Sequence, residues 1–422
     1  MFETGPGNAG RSPRVRIVVA NSYAPWPVTK GLDRLIMNLL DGLSVRHEVV
    51  LATMALDRGQ LERLRGIESP RIAVRAILAP NKRSAARRAW HKARNAAAAV
   101  FSGVPMQVSY ASPREYLDLV AEAARDVRAD LVLASYWHLY RLPEALPDVR
   151  LALVTMDLDF TVHPRRVARA RAGLPRMLAA SRAAMAERIE LEAYGRYDTI
   201  LTVTEADADV LRHHRAAAGK TIRALPLALD LSYFEPGAFE RERGRVLLLG
   251  AFHADFNDDA LRYFLREVWP LVRGRNPAAR LDVVGHGAGE GVRALAGAGV
   301  EFAGGVEDIR PYLGRCSLMV LPLRFGGGVR IRMMEAAGMS TPVVSTPAGV
   351  AGMGLASGRE YLEAERPGGM ADAIAGLLEN PGEAARLGRG ARAWAERNIS
   401  METYPDRLDA LIEAVASPRT RS

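Results

Sequence analysis

Residues 321–354 read LPLRFGGGVRIRMMEAAGMSTPVVSTPAGVAGMG, a pattern that predicts the fold class. An apolar run that ends at Leu321 is typical of a buried strand, and it is followed by three successive glycines, Gly326, Gly327 and Gly328. Apolar residues at helical spacing then predict a helix from about Val329, and residues 342–344 open the next strand. A strand, a glycine turn, a helix and a second strand form one βαβ unit, so this stretch predicts a parallel sheet.

The same stretch carries two arginines and a glutamate in the first turns of the predicted helix. Glycines before a helix N-terminus let backbone N–H groups approach a phosphate closely. Arg330 and Arg332 add positive charge there, although the helix dipole favours acids at that end. Glu335 lies one turn deeper, where a carboxylate can accept two hydrogen bonds from a ribose diol. The pattern favours a nucleoside-diphosphate site over its alternative, a glycine turn with solvated surface arginines.

Outward from this unit, the chain alternates short β-branched runs with longer helical segments, including one long helix at about 165–194. Strands are predicted in the first half at 14–20, 47–53, 131–134, 151–155, 199–203 and 221–225. Residues 226–244 are rich in Pro, Gly and charge, and strands then resume at 245–250, 281–284, 300–302, 318–321 and 343–345. This pattern predicts two doubly wound α/β domains. Ligands bind beyond the carboxyl ends of such strands, so we expect the site in the cleft between the domains.

Composition and length indicate a folded protein of several domains. The chain has 422 residues, of which 49% are hydrophobic and 25% charged, so its composition is not that of a disordered chain. Its one cysteine, Cys316, excludes an internal disulfide and a metal site built from several cysteines. Neither a signal peptide nor an apolar run of about 18 residues is visible, so a cytoplasmic protein is expected.

The net charge of +9 comes from one region, because the segment between Glu68 and Glu115 contains nine Lys and Arg residues and no acid. Residues 83–101 within it have the period of an amphipathic helix. The patch is formed by Arg83, Arg87, Arg88, Trp90, Lys92 and Arg94. It indicates either docking on an anionic membrane surface or an ordinary helix with solvated arginines. No nucleic-acid-binding signature accompanies it, so nucleic acid is not expected as a partner.

At the level of motifs, residues 321–354 resemble the donor-binding signature of the retaining family 4 (group 1) nucleotide-sugar glycosyltransferases of the GT-B fold. That signature runs from a glycine-rich turn through a basic residue and Glu-Ala to Pro-Val-Val. Further similar segments occur in the expected order at 25–31, 198–207, 245–261, 281–287 and 304–321. The triple glycine is most similar to the bacterial branch found around exopolysaccharide and exosortase-associated loci.

The resemblance implies two Rossmann-like doubly wound domains that face a central cleft. Residues 14–226 would form the acceptor domain and residues 244–400 the nucleotide-sugar donor domain, joined by a linker at 227–243. Residues 1–13 are expected to be a disordered N-terminus. Residues 401–416 are expected to form a helix that packs back on the first domain, as in similar proteins.

Donor-binding residues follow from the resemblance one by one. Glu335 matches the second Glu of the family's Glu-x7-Glu motif, which holds the ribose, whereas the first Glu of that motif falls on Gly327. Arg332 lies where the family often has a diphosphate-binding Lys or Arg, and Arg330 would share that role. The other donor-binding candidates are Gly326 and Gly328 in the turn, Gly31 and Lys30 near the β-phosphate, and Gly250 and His286 in loops that line the nucleotide pocket.

Catalytic residues are less well defined by the resemblance. The family's histidine that often reaches the donor sugar falls near Met156, and the flanking Asp157 and Asp159 are the catalytic candidates. These two aspartates could also suggest a metal pair, but the resemblance implies a reaction that needs no metal and no cofactor beyond the nucleotide-sugar co-substrate.

The predicted activity is sugar transfer from a nucleoside-diphosphate sugar to an acceptor hydroxyl, with retention of anomeric configuration. The acceptor would be a glycan, a lipid-linked molecule or a small molecule, in polysaccharide biosynthesis. The protein would work in the cytoplasm, with peripheral association at the inner membrane face through the basic patch. Two alternatives stay open, namely a sugar-nucleotide epimerase on the same fold and a non-catalytic protein that binds a sugar nucleotide or a membrane surface.

Overall fold

The structure is a computed structural model that describes residues 14–28, 31–80, 103–169, 172–325 and 330–416. The chain divides into two compact units. The first contains Met1–Val203, Asp207–Pro226 and Thr403–Ser422, and the second contains Thr204–Ala206 and Leu227–Glu402. In the described part of the chain, no helix is both long enough and apolar enough to cross a bilayer.

A parallel sheet of seven strands forms the centre of the first unit. Its strands are β1 (Arg16–Asn21), β2 (Glu48–Ala55), β3 (Ile72–Leu78), β4 (Leu131–Ser135), β5 (Leu151–Thr155), β6 (Thr199–Thr202) and β7 (Thr221–Ala224). They are arranged in the order β3-β2-β1-β4-β5-β6-β7, with Ile17 of β1 opposite Leu131 of β4. The central strands are near-continuous runs of Val, Ile, Leu and Ala because helices cover both faces of the sheet.

Helices follow the strands of the first unit in alternation. They are α1 (Gly31–Ser44), α2 (Arg58–Arg63), α3 (Met106–Ala111), α4 (Arg114–Asp126), α5 (Leu142–Ala145), α6 (Asp159–Arg169), α7 (Leu174–Arg196) and α8 (Glu205–Arg212). The one long helix predicted at about 165–194 is therefore wrong, because the structure has two helices there. Gly173 adopts a φ of +85° and Pro175 lies in the first turn of α7, so the sequence itself starts a new helix at this point.

The second unit is built around a parallel sheet of six strands. They are β8 (Arg245–Leu249), β9 (Arg280–Val284), β10 (Val300–Gly304), β11 (Leu318–Leu321), β12 (Val343–Ser345) and β13 (Leu362–Glu363), in the order β10-β9-β8-β11-β12-β13. The helices are α9 (Asp255–Tyr263), α10 (Trp269–Arg275), α11 (Glu290–Arg293), α12 (Arg310–Arg315), α13 (Ile331–Gly338), α14 (Pro347–Val350), α15 (Pro367–Glu379) and α16 (Pro381–Asn398). A π-helical turn at Phe264–Val268 joins α9 to α10.

The segment treated as a linker, residues 227–243, contributes to the core of the second unit. Leu229 and Phe234 are buried there beside Met334 of α13. Arg241 fixes the end of the segment, since its guanidinium donates to the backbone oxygens of Cys316 and Ser340, each at 2.7 Å.

The last helix of the chain, α17 (Tyr404–Ala416), packs on α1 of the first unit. Gly42 of α1 makes room for it, because a Cβ at that position would lie 2.7 Å from side-chain atoms of Tyr404 and Leu408. Asp409 reinforces the contact through an ion pair with Arg46.

Both sheets follow the same winding rule, which confirms the α/β doubly wound fold class predicted from the sequence. In each one the chain moves outward over three strands and then returns to the other side of the first strand. The direction changes between β1 and β4 in the first unit and between β8 and β11 in the second. Ligands of such sheets bind beyond the carboxyl ends of the strands at this switch point.

Candidate functional site

The predicted arginine pair lies at the switch point of the second unit. Helix α9 follows β8 and helix α13 follows β11, so both helices begin at the carboxyl ends of neighbouring strands. Arg332 donates through Nη1 to Oδ1 of Asn257 on α9, at 3.0 Å. The guanidinium of Arg330 lies over the ring of Phe256, 5.6 Å from its centroid. The structure thus brings Arg330 and Arg332 together against the start of α9.

Asn257 fixes this arrangement because the nitrogen and the oxygen of its side-chain amide both form hydrogen bonds. The side chain is buried, and its Nδ2 donates to the backbone oxygen of Ala251, 2.9 Å away in the loop after β8. Its Oδ1 is then directed toward Arg332. Asn257 was not predicted from the sequence, although its position in the first turn of the helix after β8 could have indicated it.

The electrostatics of the pair favour an anionic ligand. Burial lowers the pKa of the Arg332 guanidinium to about 10, the carboxylate of Glu335 opposes this shift, and the like charge of Arg330 adds to it. Arg332 remains protonated near neutral pH, and the charge of Arg330 lies beside it in one partly desolvated site. Charge-assisted hydrogen bonds to phosphate oxygens would relieve this repulsion. Arg332 and Glu335 are half-buried, one turn apart on α13.

Two loops beside the pair contain Gly250 and His286. A Cβ on Gly285, whose φ is +136°, would lie 1.7 Å from the backbone oxygen of Gly250. Phe252 donates its backbone N–H to the oxygen of His286 at 2.7 Å, which ties the loop after β8 to the loop after β9. The His286 ring lies against Gly305, where a Cβ would come within 1.7 Å of it. The glycines of this region permit the close packing of the two loops.

Several predicted residues lie outside the described part of the chain. They are Gly326, Gly327 and Gly328 of the glycine turn, Lys30, and the basic patch of Arg83, Arg87, Arg88, Trp90, Lys92 and Arg94. Gly31 is described, as the first residue of α1 in the first unit.

A second group of residues, the first-unit cluster, lies at the carboxyl ends of β4 and β5, where Asp157 and Asp159 follow β5. The Oδ2 atom of Asp159 accepts hydrogen bonds from the hydroxyl of Tyr136 at 2.6 Å and from Nε1 of Trp137 at 3.1 Å. The backbone oxygen of Asp157 accepts from the hydroxyl of Thr155 at 2.8 Å. The structure therefore joins Asp159 to residues that follow the neighbouring strand β4.

The residues after β4 form an aromatic group that was not predicted from the sequence. Tyr136 has a φ of +82°, a conformation that costs a residue with a side chain about 1–3 kcal/mol. It directs the chain so that the rings of Tyr136 and His138 lie 4.7 Å apart and those of Trp137 and His138 lie 4.2 Å apart. Burial lowers the pKa of His138 to about 4, so its imidazole is neutral at physiological pH. The run SYWHLY directly after a strand was the available signal.

Glu190 of α7 lies next to this cluster and accepts two hydrogen bonds there. Its Oε2 accepts from the backbone N–H of Phe160 at 2.8 Å, and its Oε1 accepts from the hydroxyl of Tyr194 at 2.8 Å. Burial raises the pKa of Glu190 to about 8, and the charge of Asp159 contributes to the rise. Near neutral pH Glu190 is therefore mostly protonated. Among the described residues, no group of three or more His, Cys, Asp or Glu side chains has an arrangement that could hold a metal ion.

Comparisons with known proteins agree with this fold. Residues 243–380 match the family described as Glycosyl transferases group 1, a range that includes Asn257 and the arginine pair. No curated protein matches the chain. The solved structures that are similar over nearly the whole chain include three from Thermosynechococcus, Rickettsia and Anabaena. Sucrose-phosphate synthase from Thermosynechococcus elongatus has a TM-score of 0.70 at 16% identity, covering 95% of this chain and 99% of its own.

The second of these structures, a glycosyltransferase from Rickettsia africae, has a TM-score of 0.66 at 12% identity and covers 97% of this chain and 100% of its own. The third, Anabaena HepE in complex with UDP and glucose, has a TM-score of 0.63 at 13% identity and covers 95% and 100%. The chain therefore has the two-domain Rossmann-like GT-B fold, and its residues 243–380 match the group 1 glycosyl transferase family.

Proposed function

We propose that the protein transfers a sugar from a nucleoside-diphosphate sugar to an acceptor hydroxyl. The observation that carries the proposal is the pair of arginines at the switch point of the second unit, inside the segment that matches the group 1 family. The similar Anabaena HepE has been solved with UDP-glucose, which agrees with a donor of this class.

In this proposal the donor diphosphate is held by Arg330 and Arg332. Their charges would neutralise the diphosphate as it leaves, and the backbone N–H groups of Gly326, Gly327 and Gly328 would add uncharged donors. Glu335 would accept hydrogen bonds from the ribose diol. Gly250 and His286 would line the nucleotide side of the site, and Gly31 with Lys30 would contact the β-phosphate.

The reacting end of the donor would meet the residues after β5. The bond between the anomeric carbon and the diphosphate oxygen breaks, a bond to the acceptor oxygen forms on the same face, and the acceptor proton passes to a diphosphate oxygen. Configuration is thereby retained without a metal. Asp159, held by Tyr136 and Trp137, would bind a sugar hydroxyl, and Asp157 is the second candidate for this role.

The acceptor would be a glycan, a lipid-linked molecule or a small molecule, used in polysaccharide biosynthesis. The basic patch at 83–94 suits an anionic membrane surface at the cytoplasmic face, where a lipid-linked acceptor would be available.

Calorimetric binding of UDP and GDP tests the donor site. We expect one nucleotide to bind, and Glu335→Ala to weaken its binding at least tenfold, which is about 1.4 kcal/mol. Arg324→Ala is the matched control, because Arg324 precedes the same glycine turn but is ion-paired with Asp259 at 2.6 Å. Failure of both nucleotides to bind would contradict the proposal.

Turnover separates transfer from the two alternative functions. With the bound nucleotide's sugar donors and a panel of acceptors, NMR should detect a glycoside of unchanged anomeric configuration. Conversion of the donor sugar without an acceptor would instead establish the epimerase. Nucleotide-sugar binding with neither reaction would establish a non-catalytic binding protein.

A further inference from the structure

The helix pair α6 and α7 includes a segment that the proposed activity does not use. The two helices pack side by side, and Nη2 of Arg176 donates to the backbone oxygen of Ala168 at 3.2 Å, close to the end of α6. Buried residues of α7 begin only at Ala186. The first three turns of α7 therefore project beyond the core that its second half helps to form. We call residues 172–182 the helical tip.

The helical tip exposes three large apolar side chains on one face. Leu174 is 66% exposed, Met177 69% and Leu178 49%. Leu174 and Met177 are the two most exposed large hydrophobic residues in the described part of the chain. Their spacing of three and four residues places them next to one another on the helix surface. Single exposed apolar residues are ordinary, whereas a contiguous group marks a surface that contacts something apolar.

The charge of this stretch of sequence has one sign. Between Asp159 and Glu187 the sequence has no acid, and it contains six arginines, Arg165, Arg166, Arg169, Arg171, Arg176 and Arg182. The first turn of α7 also lacks an acid, although the helix dipole favours one there. Acids return at Glu187, immediately after the first buried residue, Ala186. Exposure, apolar character and positive charge thus coincide in one part of the chain.

We propose that the helical tip docks on a bilayer that contains anionic phospholipid. Leu174, Met177 and Leu178 would enter the boundary between headgroups and acyl chains, and the exposed Arg176 and Arg182 would pair with lipid phosphates. Nucleic acid fits less well, because the helical tip has no aromatic side chain on which a base could stack. The inference stands apart from the basic patch at 83–94 and does not depend on sugar transfer.

Docking of the helical tip on a bilayer would set the distance from that bilayer to Asp159. Helix α6 has 11 residues and begins at Asp159, so its axis spans about 16 Å from that residue to the end beside the helical tip. A lipid-linked acceptor in the same bilayer would need to extend roughly that distance to reach Asp159.

Vesicle sedimentation tests the proposal on the full-length protein. The vesicles contain either phosphatidylcholine alone or phosphatidylcholine with phosphatidylglycerol. We expect binding to the anionic vesicles that weakens with added salt. The triple substitution Leu174→Ser, Met177→Ser and Leu178→Ser should reduce it at least tenfold. The matched control is Val210→Ser with Leu271→Ser, which changes two exposed apolar residues elsewhere, 44% and 39% exposed, and should leave binding unchanged.

Charge is tested separately with Arg176→Ala and Arg182→Ala, against Arg266→Ala and Arg389→Ala on the exposed surface of the second unit. Only the first pair should weaken binding. Circular dichroism confirms that each variant is folded. The proposal is overturned if the triple variant binds anionic vesicles as the wild type does, or if the wild type binds neither vesicle. It is also overturned if the wild type self-associates and the triple substitution abolishes that self-association without weakening vesicle binding. Because every readout is vesicle binding, failure here leaves the donor-site test unaffected.

Discussion

At the residue scale, the organisation of the proposed donor site depends on how the like charges of Arg330 and Arg332 are held. A guanidinium that is partly removed from water needs fixed hydrogen-bond partners, and Asn257 supplies one to Arg332. Phe256 covers Arg330, which is only 8% exposed. The arginines are therefore oriented by α9 before any ligand arrives, which reduces the ordering that binding would otherwise require.

Asn257→Ala tests this positioning role. The substitution removes the hydrogen bond to Arg332 but keeps both arginines, so we expect nucleotide binding to weaken about threefold to tenfold, near 1 kcal/mol. Arg332→Ala should weaken it more, because the charge itself is lost. Titration calorimetry of both variants measures the difference. Equal affinity of Asn257→Ala and wild type would mean that Arg332 needs no support from α9.

Glu190 makes the stability of the first unit depend on pH. An unfolded Glu loses its proton near pH 4.5, whereas Glu190 in the native state loses it near pH 8. Between these values the native state binds more protons, so the free energy of unfolding falls as pH rises. The loss is on the order of a few kcal/mol, at about 1.4 kcal/mol for each unit of pKa.

Glu190→Gln should remove this pH dependence while its amide oxygen still accepts from the N–H of Phe160. Urea unfolding at pH 5 and pH 8 gives the free energy of unfolding of the wild type and the variant. Hydrogen exchange of β5 and β6 at the same two pH values is an independent measurement of local stability. The wild type should lose stability between the two pH values, and the variant should lose much less. An identical slope in both proteins would show that Glu190 titrates normally.

At the element scale, the loops after β8 and β9 pack closely beside the proposed donor site. Gly285 is required there for two reasons, because its φ is +136° and because the Gly250 backbone occupies the place of a Cβ. Further along the chain, Gly291 lies in α11, and a Cβ there would meet no neighbouring atom of the described residues within 4 Å. The two glycines therefore have opposite tolerance for a methyl group.

Gly285→Ala should destabilise the second unit by more than about 2 kcal/mol, since backbone must move to admit the methyl group. Gly291→Ala should be neutral or slightly stabilising, because alanine is the better helix former. Urea unfolding measures both. Comparable stability of the two variants would mean that the loops can separate at little cost.

The elements also explain which features the sequence could predict. Eleven of the thirteen strands were found because buried parallel strands are continuous apolar runs, whereas β3, which is only partly buried, and the two-residue β13 were not predicted. Arg330, Arg332 and Glu335 were named because one short stretch of chain holds all three. The first-unit cluster was only half found. Asp159 was named, but Tyr136 and Glu190 come from elements separated from it by 23 and 31 residues. Sequence spacing does not predict contacts between such distant residues until the order of the strands in the sheet is known.

At the scale of the whole molecule, the chain returns to its first unit after completing the second. Helix α17 buries apolar side chains of Tyr404, Leu408, Leu411, Ile412 and Val415. At roughly 1.5–3 kcal/mol for each large apolar side chain, this burial is comparable with the entire stability of a domain. The first unit is therefore not a continuous segment of sequence.

Deletion of residues 403–422 should unfold much of the first unit and leave the second folded. Hydrogen exchange should become fast in β1 to β7 and stay slow in β8 to β13. The control is deletion of residues 417–422 alone, which keeps all of α17 and should change neither unit. Preserved protection of β1 and β2 in the longer deletion would mean that α1 does not need this helix.

Because α17 is synthesised after the whole second unit, α1 lacks its partner helix during much of translation. A ribosome that has finished the first sheet must still add residues 227–402 before α17 emerges. At about 5–20 residues per second, that takes roughly 9–35 s. During this interval the face of α1 around Gly42 is uncovered on a nascent chain whose second unit can already fold. Synthesis is thus the stage at which this protein has most need of a chaperone.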